Sequence, residues 1–184
     1  NNNKKSGAVD IRTLGLKNET GDFWLSQNGI STGAGTIGAD KVSDESIQVQ
    51  VTTLDIMAEQ LGWLHEDTII SILKVDVEGL EHDVFRGGHD LIHSRRVQNI
   101  FMEGNVKTEE QVMQFFELVR DFQTAGYGVY KMGGSMGPAN DISVLPYPDN
   151  NHEKFHEGLL FGCKGFEKAN RWQCNIWWKL KEHL

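Results

Sequence analysis

An α/β domain built on a mainly parallel sheet is predicted by three features of the 184-residue chain. Strand-like and helix-like stretches alternate from residue 47 to residue 132, the pattern of successive β–α–β units. Residues 69–77 form a run of mostly apolar and β-branched residues, the composition of a strand covered on both faces. Residues 108–126 carry a helix signature with both a start and a stop signal. With 39% apolar and 24% charged residues, the composition supports one buried core. Residues 1–8 read as a polar tail and 9–184 as a single domain with an irregular insertion at about 133–171.

The first strand is expected at Val9–Leu16, followed by a turn rich in Asn, Gly and Asp at 17–22. Phe23, Trp24 and Leu25 suggest a short strand. Residues 27–46 are rich in Gly, Ser, Thr and Asp and read as a long loop. Ile47, Val49 and Val51 alternate with polar residues, which predicts a half-buried strand. Asp55 is the expected N-cap of a helix whose apolar positions are Ile56, Met57, Leu61 and Leu64. After the buried strand at 69–77, a short helix over 80–85 is stopped by Gly87 and Gly88, and another turn or two is expected over 89–95. Residues 99–103 predict a second buried strand. Thr108 and Gln111 then form a capping box. Val112, Phe115, Phe116, Val119 and Phe122 fall on one helical face, and Gly126 sits where the chain leaves the helix. A strand is expected at 127–132 and a closing strand at 174–178.

Charge and composition narrow the function. Net charge is −8, which argues against a nucleic-acid backbone or an anionic membrane surface as the main partner. No apolar run approaches the ~18 residues of a membrane span. Asn1 to Lys5 form no signal peptide, and a chain opening on Asn is expected to be part of something longer. Cys163 and Cys174 either pair as a local staple or stay as two thiols. Compartment and oligomeric state are not assigned.

Lys74, Asp76 and Glu78 alternate along one strand and so share a face at its C-terminal end, where α/β folds bind ligands. Gly79 permits a sharp strand-to-helix turn. Glu103-Gly104 repeats the arrangement at the end of the next strand. If the two strands are neighbours, three carboxylates and one ammonium meet in one cleft; the alternative is a structural Lys74–Asp76 ion pair with Glu78 capping a helix.

Thr53-Leu54-Asp55, then Leu73-Lys74-Val75-Asp76-Val77-Glu78-Gly79-Leu80-Glu81, then Val84-Phe85-Arg86-Gly87-Gly88 resemble the FkbM-type methyltransferase family. The resemblance runs over about residues 9–132 and is most specific at 73–88. It implies a doubly wound sheet of the class I methyltransferase type and S-adenosylmethionine-dependent methyl transfer, mostly to hydroxyl oxygens, here of a small molecule or saccharide. In-line displacement requires donor and acceptor held at attack distance, and a hydroxyl acceptor gains from a proton acceptor. Asp76 is the residue expected beside the methyl donor, with Gly79 as the second cofactor contact. Glu78 and Glu103 are candidates for base or acceptor positioning. His82, one helical turn after Glu78, is a further candidate base. Three acids alone do not specify a divalent ion, and no metal is assigned. The family's glycine-rich loop and first acidic strand end would precede the matched segment. The chain is therefore expected to be the C-terminal part of the catalytic domain, with a sheet lacking its first strands and split between the third and fourth.

Three other patterns compete. Gly33-Ala34-Gly35-Thr36-Ile37-Gly38 satisfies G-x-G-x-x-G but neither follows a strand nor opens a helix, so a mobile lid is expected instead. His152-Glu153-Lys154-Phe155-His156 satisfies the zinc-hydrolase pattern H-E-x-x-H, without an evident third ligand. A non-catalytic binding domain on the same scaffold is the other alternative. His89 and His93 read as satisfied surface residues. Trp172, Trp177 and Trp178, with Phe161 and Phe166, read as core packing, or as a surface that stacks on a sugar.

Overall fold

In the computed structural model the described residues are 9–27, 35–77, 79–106, 108–132, 140–141 and 172–181. They form two sheets. The first has the order β1(Gly15–Leu16), β4(Ile47–Thr52), β2(Gly21–Gln27), β3(Gly35–Gly38). The second has the order β5(Leu73–Val75), β6(Asn99–Val106), β9(Trp172–Leu180), β7(Tyr127–Met132), β8(Asn140–Asp141). The described residues also form four helices: α1(Leu54–Gln60), between the two sheets in sequence, and α2(Glu81–Arg86), α3(His89–His93) and α4(Glu109–Thr124), between strands of the second.

The α/β class holds, but the sheets are mixed rather than mainly parallel. In the larger sheet β5 and β6 are parallel, whereas β9 runs antiparallel to both of its neighbours, β6 and β7. The C-terminal strand is thus internal and not a closing edge. Its alternation splits two adjacent tryptophans. Trp178 is fully buried and packs its ring 4.6 Å from Phe122 of α4. Trp177 points to the opposite face, its ring stacked 6.1 Å from Phe101 and tilted against Tyr130 at 4.9 Å. Among the described residues the helices pack on the Trp178 face. A sheet wound on both sides therefore goes beyond what these residues display.

Helix α4 follows from its sequence. Thr108 Oγ1 accepts from the Gln111 N–H at 3.2 Å, and Phe115, Phe116, Val119 and Phe122 are buried. Gly126 leaves the helix at φ +95°, a left-handed conformation that costs glycine little. Helix α1 is capped by Thr53, whose Oγ1 accepts from Ile56 N–H at 3.2 Å. Asp55, the expected cap, instead reaches across to α3 and accepts from the N–H groups of Asp90 and Leu91 at 3.0 and 2.8 Å. A carboxylate there meets the unpaired donors and positive dipole end of another helix.

Several strands differ from expectation. Of residues 9–16 only Gly15 and Leu16 pair, and Val9 and Ile11 are exposed. Residues 35–38, expected to be loop, pair with β2 as the far arm of a hairpin. The run at 69–77 contributes only three paired residues plus an isolated Ile70–Val97 bridge; Ile69 and Ile72 are exposed. Cys174 is disulfide-bonded, and no free cysteine occurs among the described residues. Its possible partner Cys163 lies outside the described residues, as do the tail 1–8, Gly33-Ala34, Phe161, Phe166, His152, Glu153 and His156. Of the insertion at 133–171, only Asn140–Asp141 is described, as β8. No helix among the described residues is long and apolar enough to cross a membrane.

Candidate functional site

Strand register brings the two acids together. Leu73, Lys74 and Val75 lie opposite Ile100, Phe101 and Met102 across the parallel β5–β6 pair. Asp76 follows one residue past the end of β5, and Glu103 lies beside it within β6, three residues before that strand's end; neighbouring strands lie ~4.8 Å apart. Side chains alternate across a sheet, so Val75 and Met102 turn into the core while Lys74, Asp76, Phe101 and Glu103 turn the other way. These four line a cavity of about 330 Å³, with Asn175 of β9 on its wall.

Lys74 sets the charge there. Its Nζ donates to Asp76 Oδ2 at 2.7 Å. The hydrogen bond and the charge of Asp76 hold its pKa above the usual lysine value, with a smaller upward push from Glu103. The Lys74 and Asp76 side chains are 68% and 46% exposed, so this is an open strand end and not a doubly covered one. Exposed ion pairs add little to stability. Among the described lining residues two carboxylates face one ammonium, a charge balance suited to a ligand with cationic character.

The buried acid is Glu81, which is 4% exposed. Its carboxylate accepts from Val77 N–H at 3.2 Å and from Gly79 N–H at 3.0 Å. The turn between strand end and α2 is thereby tied to the helix it introduces, and Gly79 makes it at φ +103°. Desolvation raises the Glu81 pKa, while the backbone N–H groups oppose that rise. Glu81 was visible only as the last acid of the family-like string. Its role depends on a side chain folding back onto its own turn, which strand alternation does not reveal.

His82 and Gly79 do not join the acids. They line a separate small crevice against α4, with Gln111 and Phe115. His82 Nε2 faces Glu117 of α4 at 3.6 Å. Burial, and secondarily the charge of Arg86, lower its pKa below the ordinary histidine value. Its Nδ1 is buried without a hydrogen-bond partner among the described residues. Glu78 lies outside the described residues.

A parallel β–α–β unit with charged side chains lining a cleft beside β5 and β6 places the chain among α/β domains. The methyltransferase FkbM domain matches residues 3–129. The chain belongs to that family, and this domain is a methyltransferase. Comparison with curated proteins and with solved structures finds no match.

Proposed function

We propose that this domain transfers a methyl group from S-adenosylmethionine to a hydroxyl oxygen of a small molecule or saccharide. The observation that carries the reading is the pair Asp76, just past the end of β5, and Glu103, beside it on the parallel strand β6, both lining one cleft. The donor set suits the cofactor: two carboxylates against one ammonium favour a sulfonium cation. S-adenosylmethionine supplies an electrophilic methyl group, and the C–S bond breaks as the O–C bond forms. Asp76 holds the donor side of the cleft, its position kept by Lys74. Glu103 lies one strand away, where it orients the acceptor hydroxyl and takes its proton. Glu81 keeps the turn after β5 in place and so acts as a positioning residue. The Phe101–Trp177–Tyr130 strip continues from the cleft along the same sheet face. Aromatic faces of this kind stack on sugar rings, which supports a saccharide acceptor.

The test is methyl transfer from labelled S-adenosylmethionine. Asp76→Asn and Glu103→Gln are each expected to lower turnover about a hundredfold, the scale on which positioned acid–base groups act. Full turnover in both variants would leave only a structural ion pair.

A further inference from the structure

We propose that His89, His93 and Asp121 form a zinc site, separate from the acidic cleft, that clamps α3 to α4. His89 and His93 occupy successive turns of α3, and their rings stack at 4.1 Å with an interplanar angle of 18°. Both present Nε2 to the same oxygen. Asp121 Oδ1, on α4, lies 2.8 Å from His93 Nε2 and 3.8 Å from His89 Nε2. The three ligand atoms all lie within 4.8 Å of one another.

This spacing suits a metal. Zinc binds imidazole nitrogen at ~2.0–2.1 Å and carboxylate oxygen at ~2.0–2.2 Å, so tetrahedral ligand atoms stand about 3.4 Å apart. The two nitrogen-to-oxygen distances bracket that value, and small ring rotations would even them out. A carboxylate holding a single histidine does not need a second imidazole stacked on the first with its Nε2 aimed at the same oxygen. Asp90 adds an outer contact: its Oδ1 lies 3.5 Å from His89 Nδ1. A proton held on that side leaves the Nε2 lone pair free for a metal, the outer-shell arrangement common to metal-bound histidines.

Access and charge agree. His89 and Asp121 line an open cavity of about 510 Å³, shared with Glu117 one turn earlier on α4. Arg86 is the cation on that wall, and the carboxylates of Glu117 and Asp121 outnumber it. Two imidazoles and one carboxylate select a borderline divalent ion such as zinc over the hard oxygen-seeking ions. Water fills the fourth position. Both α2 and α3 lie in the crossover between β5 and β6, so the ion would stiffen the connection between the strands bearing Asp76 and Glu103.

The experiment is calorimetric titration of the chelator-treated chain with zinc chloride, paired with thermal melting. Micromolar binding is expected, with the melting midpoint raised by several degrees at saturating zinc, because an ion that binds only the native state stabilises it. His93→Gln and Asp121→Asn keep hydrogen-bonding capacity at the site and are expected to fold. Each should weaken zinc binding at least tenfold and abolish the zinc-dependent rise in midpoint. A His152→Gln/His156→Gln double variant should bind zinc as the parent does. Binding no tighter than millimolar in the parent, parent-like binding in His93→Gln and Asp121→Asn, or loss of binding in the His152/His156 variant would each overturn the proposal.

Discussion

Removing the Glu81 carboxylate should loosen the turn that leads out of the acidic strand end. In the native turn Val77 and Gly79 each donate a backbone N–H to this buried acid. Hydrogen bonds to a charged acceptor contribute about 1.5–3 kcal/mol each, so Glu81→Ala forfeits about 3–6 kcal/mol of interaction. Part of this is offset, because the variant no longer buries a carboxylate, a burial large enough to raise the native pKa. Taking a desolvation cost of about 1–3 kcal/mol leaves a net loss between roughly 0 and 5 kcal/mol, centred on about 2–3 kcal/mol. For a chain of this size that lowers the melting midpoint by roughly 5–10 °C. Thermal melts and urea titrations at pH 7 would measure it, with the midpoint shifted and the slope unchanged. Glu81→Gln keeps one carbonyl oxygen for the two N–H groups and should lose less. The pH dependence has a definite sign. Because the folded pKa lies above 4.5, the protonated form is the one folding favours. The stability of the parent relative to Glu81→Gln should therefore be greatest below pH 4.5 and fall as pH rises through the folded pKa. A melting midpoint for Glu81→Ala within about 1 °C of the parent at pH 7 would refute the bracing role, since the two N–H bonds would then contribute nothing beyond the desolvation they offset.

Two further outcomes test the packing. Tyr127 donates its hydroxyl to the Val97 carbonyl at 2.7 Å, and burial pushes its pKa up to about 12. Tyr127→Phe should cost about 1 kcal/mol. In the parent, the phenol's contribution should be intact below pH 10 and lost as pH rises through about 12, followed by ultraviolet titration. Gly87→Ala should destabilise by about 1–3 kcal/mol or more, because its Cβ would overlap the Lys17 carbonyl oxygen. Gly38→Ala, where a Cβ meets nothing within 4 Å, should be near neutral, and equal midpoints for the two variants would contradict the steric argument.

Legibility followed the kind of interaction. Helix α4 was readable because its cap and five apolar positions all lie within one local period. The partnership of Asp76 and Glu103 was readable because two similar apolar runs, each ending in an acid, were joined by enough chain for a parallel crossover. The antiparallel insertion of β9 between β6 and β7 was not, since strand order depends on long-range pairing that no local pattern encodes. For the same reason β3 was hidden: its residues pair through backbone groups, and the side chains of a Gly-rich segment signal loop. Asp55 was misread because a capping acid near one helix serves another 35 residues away. The exposure of Ile69 and Ile72 follows from the short paired length of β5, which hydrophobic content alone does not predict.

The family-like strings divide by role once their contacts are known. Thr53 caps α1, Leu54 is fully buried against Gly88, and Asp55 caps α3 while its N–H donates to the Gly87 carbonyl at 2.8 Å. A Cβ on Gly88 would lie 2.6 Å from Leu54 Cδ2, so the bare backbone there is a requirement of close packing. The Thr53-Leu54-Asp55 and Arg86-Gly87-Gly88 segments are thus two halves of one joint. It docks the helix that follows β4, in the first sheet, onto the helices that follow β5, in the second. No strand hydrogen bonds join β1–β4 to β5–β9 among the described residues, so this joint carries much of the alignment between the two sheets. Within the remaining string, Glu81 braces the turn from inside, while Lys74 and Asp76 are exposed and line the cleft. Residues whose substitution costs stability and residues whose substitution costs turnover should therefore separate along the string. Leu54, Gly87, Gly88 and Glu81 fall in the first group, and Asp76, with Glu103 across the strand, falls in the second.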